Sequence, residues 1–221
     1  MDAPRFEPLE FSRLSPEEML ARAREFHAEL DRRRTTRQFS SEAVPRELIE
    51  LAIASASTAP SGAHRQPWYF VAVSDAALKS KMREAAEQEE RENYNGRMSP
   101  EWLEALAPLG TDEHKGHITD APWVIVVFKQ AYEELADGRR AKNYYVDESV
   151  GIACGLLIAA IHHMGLVTLT HTPSPMAFLA KLLERPANER AYLLLPVGYP
   201  ADGAEVPAIR RKPLTSVSQF R

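Results

Sequence analysis

The chain has one cysteine, Cys154, among 221 residues. No internal disulfide can form, which excludes a disulfide-stapled secreted scaffold and fits a reducing compartment such as the cytoplasm. Cys154 sits in SVGIACGLLIAAIHHMG, where a thiol reads as a packed core residue. Charge of one sign is lacking too. With 27 Lys plus Arg against 31 Asp plus Glu the net charge is −4, which offers nucleic acid no basic field. The first twenty residues, MDAPRFEPLEFSRLSPEEML, are acidic and broken by prolines, and hold no apolar core of a signal peptide. The longest apolar run, Val150 to Ile161, is too short to cross a bilayer and is flanked by Glu148 and His162. There is no internal repeat, no low-complexity segment and no interdomain linker. What remains is one globular domain over residues 1–221, with 44% hydrophobic residues to build a core.

The elements alternate helices with a few short strands. Ser15-Pro16-Glu17-Glu18 has capping-box spacing with proline at the first helical position, and predicts a helix through MLARAREFHAELDRR. A second helix follows Pro45, with Leu48, Ile49, Ala52 and Ile53 on one face. Strands are expected at Tyr69–Val73, WVIVVFKQ, LVTLTH and AYLLLPVG, and helices from Ala76 to about Tyr94, near Glu101–Leu106 and at MAFLAKLLE. The run Val150–Ile161 predicts a fully buried helix, stopped by Gly165. Being apolar on all sides it requires cover all round, part of it from a second subunit. Residues 200–221 carry too few apolar side chains for a core of their own, and read as an extension lying over another surface.

Four stretches carry chemistry: RRRTTRQFS, TAPSGAHRQPW, LVTLTHTP and IRRKP. Clustered arginines with hydroxyls suit a phosphate, since guanidinium forks and O–H donors give charge-assisted hydrogen bonds. Taken singly, an arginine run at a helix end is equally a solvated terminus favoured by the dipole. Between Pro60 and Pro67 the residues Ser61, Gly62 and Ala63 are small enough for a flat group to approach the backbone. By itself that stretch is equally an ordinary loop. His114 and His117 lack a clear third ligand, so no metal site is assigned.

Together, TAPSGAH, APWVIVVFKQ, YYVDESVGIACG, GLVTLTHTP, LLPVGYP and RRKPL, in this order, resemble the flavin-dependent nitroreductase superfamily, and within it the iodotyrosine deiodinases. The resemblance runs from about Arg33 to Lys212. It implies an α+β sandwich with a mostly antiparallel central sheet flanked by helices, and FMN at a homodimer interface. By the resemblance, Arg33, Arg34, Thr35 and Arg37 hold the FMN phosphate and ribityl chain, with Arg211, or Arg210 in its place, also reaching the flavin. Thr35 stands where the family usually has serine. The backbone of Pro60, Ser61 and Gly62 lies against the isoalloxazine, and Thr170, His171 and Thr172 complete the flavin contacts. By the same resemblance Thr172 would offer its hydroxyl near flavin N5 and tune it toward one-electron steps, a catalytic role, whereas by itself it is equally a threonine at a sheet edge. His171 replaces the family's more common threonine, with contact through backbone, side chain or neither left open.

Substrate choice falls to a flap over about 86–118. The resemblance gives the ammonium of an amino acid to Glu90, its carboxylate to Tyr94 and Lys115, and the phenolate to the Ala63 N–H. The residues alone read rather as a solvated helix face with a loop lysine, and it is the deiodinase-like spacing that reverses this. The expected activity is reductive dehalogenation of a halogenated tyrosine by reduced FMN. The alternatives are a general nitro or quinone reductase using NAD(P)H and a non-catalytic flavoprotein that binds an aromatic amino acid. The membrane anchor of animal deiodinases has no counterpart in the sequence, which implies a soluble, bacterial-type cytoplasmic form without a membrane partner.

Overall fold

A computed structural model describes residues 4–221. They divide into two compact units, one ending at Arg33 and the other running from Arg34 to Arg221. In the first unit, helix α1 (Pro16–Arg32) begins as its sequence dictates. The Glu18 N–H donates to the Ser15 hydroxyl at 3.2 Å and the Ser15 N–H to the Glu18 carboxylate at 3.0 Å. Two of the helix's orphan donors are thus met reciprocally.

The second unit holds α2 (Arg46–Ala56), β1 (Trp68–Val73), α3 (Ala76–Glu92), α4 (Pro100–Leu106), α5 (His117–Asp120), β2 (Trp123–Gln130), β3 (Tyr132–Glu134), β4 (Arg140–Lys142), α6 (Val146–His163), β5 (Val167–Thr168), α7 (Ala177–Leu182) and β6 (Glu189–Gly198). The main sheet has the order β1-β2-β6-β5 and every neighbour is antiparallel. Five consecutive residues of central β2, Val124 to Phe128, are fully buried. That replaces the usual in-out alternation because helices cover both faces. Ile125 and Val127 join Leu195 and Val197 against α2 and α6, through Ile49, Ala52, Val150, Leu157 and Ile161. Val124, Val126 and Phe128 join Leu194 on the other face, against Met82, Ala86, Ile118 and Leu179. The period of two along a strand sorts these residues into two cores, and each buried aliphatic contributes about 1.5–3 kcal/mol.

Helix α6 is covered along one face by its own chain. Ser149, Val150, Ala153, Cys154, Leu157 and Ile161 are buried, whereas Ile152 and Leu156 remain 47% and 38% exposed. One chain has elements enough for one face of this helix only. Burial pushes the Cys154 thiol up to about 12, which keeps it an inert core residue. The strand expected at LVTLTH is shortened to Val167–Thr168, continued by a single bridge between His171 and Leu194. Residues after Pro200 remain largely exposed, including Ile209, Leu214, Val217 and Phe220. On α3, the buried Lys79 donates to the Ala121 carbonyl at 2.6 Å and so ties this helix to the chain leaving α5.

Candidate active site

The arginine-rich segment from Arg34 is held extended beside β5. Thr35 bridges Thr168 in parallel, and the Thr36 N–H donates to the Thr168 carbonyl at 3.3 Å. Side chains alternate along an extended segment, so Thr36 turns inward and Arg37 stays half-buried. The Arg34 guanidinium donates to the Pro207 carbonyl, which anchors the tail to this segment. Arg33 caps α1 in the N-terminal unit, its N–H bonded to the Leu30 carbonyl. Arg211 lies on the exposed tail.

The turn from Pro60 to Gln66 carries three non-glycine residues with positive φ: Ala63 at 52°, His64 at 54° and Gln66 at 46°. Such a cluster costs conformational energy and persists because neighbouring contacts hold it. The Gln66 N–H bonds the Ser61 hydroxyl at 2.9 Å, and the Gly62 N–H reaches the Ser149 hydroxyl at 3.4 Å. Gly62 is pressed so closely that an added Cβ would stand 2.7 Å from the Tyr144 carbonyl oxygen and 2.9 Å from the Tyr145 ring. Ala63 itself is exposed, and among the described residues nothing accepts from its N–H.

Beyond β5, alternation again separates the side chains. Thr170 and Thr172 are exposed, while His171 turns inward with 8% exposure. Its backbone is fully used, donating to Leu194 at 2.9 Å and accepting from it at 3.0 Å. The imidazole faces Glu90 and His117, away from the two threonine hydroxyls' surface.

Glu90, Tyr94 and Lys115, drawn from α3, the π turn Asn93–Arg97 and the stretch before α5, converge. Lys115 Nζ stands 3.3 Å from Glu90 Oε2 and 5.7 Å from the centre of the Tyr94 ring. Lys115 also donates through Nζ to the Asp112 carbonyl, and through its backbone to Glu87 at 2.9 Å. The Tyr94 hydroxyl donates to the Thr111 carbonyl at 3.0 Å, and Asn93 donates to the Ser174 carbonyl at 2.9 Å. That last bond joins the end of α3 to the segment carrying Thr170–Thr172. Burial pushes the Glu90 carboxyl up, but His171 and Lys115 outweigh it and hold the group below the ordinary carboxylate range. Burial raises the Tyr94 phenol, with Glu90 and Asp112 adding to it, so the hydroxyl stays a donor.

Sequence reasoning missed His117 and the inward role of His171. Their facing nitrogens lie 3.4 Å apart with the rings at 81°. Burial drives the His117 imidazole down to about 3, with His171, Lys115, Arg37 and Arg83 adding to it. Burial also lowers His171, despite Glu90 beside it, because Lys115 and Arg37 oppose a further positive charge. Both rings are neutral at pH 7. No group of three or more potential metal ligands occurs among the described residues.

The donor set fits FMN. Arg34, Thr35 and Arg37 have the charge and hydroxyls a phosphate requires. The flattened turn at Gly62 offers a free N–H beside it, and two threonine hydroxyls stand clear on the β5 extension.

Comparison with known proteins agrees. Residues 30–199 match the model of the Nitroreductase family. An iodotyrosine deiodinase of Haliscomenobacter hydrossis is 60% identical over 214 residues, covering 97% of this chain and 96% of its own length. Iodotyrosine deiodinase 1 of Mus musculus is 46% identical over 211 residues, with coverage of 95% and 74%. Among solved structures, oxidized iodotyrosine deiodinase bound to FMN and 3-iodo-L-tyrosine superposes with a TM-score of 0.74 at 29% identity, over 88% of this chain and 100% of that one.

Proposed function

The chain belongs to the nitroreductase family, among its iodotyrosine deiodinases, and on that premise we propose that it is an FMN-dependent oxidoreductase that dehalogenates halogenated tyrosine reductively, releasing halide and tyrosine. The observation that carries the reading is the buried Glu90–Lys115 pair beside Tyr94. A cation and an anion sealed from water and already matched to each other present the two charges a zwitterion needs, in one place.

Bound FMN, once reduced, supplies the two electrons that cleave the carbon–halogen bond, one proton joining the ring carbon as halide leaves. Arg34, Thr35 and Arg37, with Arg33 by sequence and Arg211 from the tail, hold its phosphate and ribityl chain. Pro60, Ser61 and Gly62 give the ring a backbone surface without side chains in the way. With FMN bound, the exposed Thr172 and Thr170 would offer their hydroxyls to the flavin, Thr172 at N5. On the substrate, Glu90 accepts from the ammonium, Lys115 and Tyr94 donate to the carboxylate, and the free Ala63 N–H donates to the phenolate oxygen. Closing residues 86–118 over the amino acid excludes water and strengthens each of these bonds.

The chain acts as a homodimer. The exposed Ile152 and Leu156 on α6, and the apolar side chains of residues 200–221, find their cover on a second copy. The lone buried thiol accords with a cytoplasmic setting. Loading the protein with FMN, reducing it with dithionite and adding 3-iodotyrosine tests the assignment. Iodide release is expected. Reduction of nitroarenes and quinones without any iodide release would make the chain a general flavin reductase instead.

A further inference from the structure

We propose that His171 is a positioning residue for the ammonium subsite, its Nε2–H holding the Glu90 carboxylate in place while Lys115 changes partners. This rests on Glu90 accepting from the substrate ammonium. Three observations lead to it.

The first is how the carboxylate's two oxygens are shared. Glu90 Oε2 faces Lys115 Nζ at 3.3 Å and Oε1 faces His171 Nε2 at 3.5 Å. Lys115 is needed at the substrate carboxylate, so it must leave Oε2, and the ammonium takes its place. Without a second anchor the carboxylate would be free to rotate away. In the closed site Oε1 keeps facing His171 while that exchange takes place.

The second is rigidity. Both backbone groups of His171 are bonded to Leu194 of β6, so the ring is fixed to the sheet and does not travel with the flap. On its other side, His117 Nε2 lies 3.4 Å from His171 Nδ1. With both rings neutral, a proton donated by His117 to Nδ1 leaves the His171 proton on Nε2, aimed at Glu90.

The third is an unmade bond. His171 Nε2 is the one buried side-chain nitrogen or oxygen among the described residues that lacks a hydrogen-bond partner. At 3.5 Å from Glu90 it is a short step from one. A donor left short in a sealed site is completed when the carboxylate moves a fraction of an ångström toward it. The groups facing the ring are Glu90 from α3, Lys115 from the stretch before α5, His117 from α5 and, through its field, Arg37. A neutral donor suits this place, because it adds no charge to compete with the incoming ammonium.

The test compares FMN-loaded parent, His171→Met and His171→Gln by titration with 3-iodotyrosine and with 3-(3-iodo-4-hydroxyphenyl)propionate, which lacks the amine. Methionine removes the donor, whereas glutamine returns an amide N–H near the same position. The Met variant is expected to lose about tenfold for iodotyrosine and about twofold or less for the propionate, with the Gln variant within about threefold of the parent. Equal losses for both ligands in the Met variant, or none for iodotyrosine, would overturn the proposal while leaving Glu90's role intact, provided the parent prefers the amine. A parent that binds both ligands alike would remove Glu90's role and this one with it. Should the Met variant fail to retain FMN, 15N-histidine spectra of the parent decide. The Nε2-protonated tautomer of His171 is expected, its proton shifting with iodotyrosine but not with the propionate. An Nδ1-protonated ring would refute the arrangement.

Discussion

Lys115 and Glu90 neutralise each other at 3.3 Å with their side chains only 4% and 7% exposed. Losing water costs each charge several kcal/mol, which their attraction and surrounding hydrogen bonds must repay. The pair therefore matters less as a stabiliser than as a mutual dependence.

That dependence is measurable in stability. Lys115→Ala strands a buried carboxylate and is expected to destabilise the protein by about 3–5 kcal/mol. The double variant Glu90→Gln with Lys115→Met should recover most of the loss. Denaturant unfolding of the three proteins checks this, and a Lys115→Ala variant as stable as its parent would mean that water already reaches Glu90.

Ligand selectivity gives an independent measure. Glu90→Gln should weaken iodotyrosine binding by at least about tenfold, yet leave FMN content unchanged, since Arg34 and Arg37, proposed to hold the phosphate, do not contact Glu90. In the parent, 2-iodophenol should bind far more weakly than iodotyrosine, because it offers neither an ammonium to Glu90 nor a carboxylate to Lys115. Equally tight binding of the two ligands would argue against the deiodinase assignment.

Acid should act through the buried histidine pair. His117 is pushed from 6.5 to about 3 by burial first, then by His171 and the neighbouring cations. A group held neutral in the fold contributes stability that is complete above its unfolded value and lost as pH falls toward its folded one. Between about pH 6.5 and 3 the loss approaches about 1.4 kcal/mol per pH unit for this one group. Glu90, held below its ordinary range, adds to the loss at the acid end of that window. His117→Gln should flatten the stability profile between pH 6.5 and 4, and an unaltered slope would show that other groups carry it.

The uncovered side of α6 predicts how the chain assembles. Ile152→Glu places a charge where a second copy would otherwise bury an aliphatic side chain. Sedimentation should show a dimer for the parent and a monomer for the variant, accompanied by loss of flavin colour. A dimer retaining its flavin in the variant would move the interface elsewhere.

Much of the fold was legible because it follows from local rules. The capping box fixed the start of α1, the run WVIVVFKQ marked a strand covered on both faces, and Gly165, at φ 81°, ended α6 as its position suggested. The β3–β4 hairpin went unread although Asp137-Gly138 is a turn signal, because its strands are only three residues long and charged. Helix α5 is too short for periodicity to speak. At the site, Glu90, Tyr94 and Lys115 were found through family spacing. The Glu90–His171–His117 chain was not, since it joins a helix, a strand extension and a one-turn helix that only tertiary packing brings within reach. The one available hint was the departure of His171 from the family's threonine.

The close fit at Gly62 has a mechanical consequence. With Tyr144 and Tyr145 wedged against its α-carbon and Ser149 accepting from its N–H, the turn after α2 is bolted to the first turn of α6. A displacement at the head of that long helix is therefore expected to reach Ser61, Gly62 and Ala63 directly. Pressure on the exposed flank of α6 is expected to shift that turn as well.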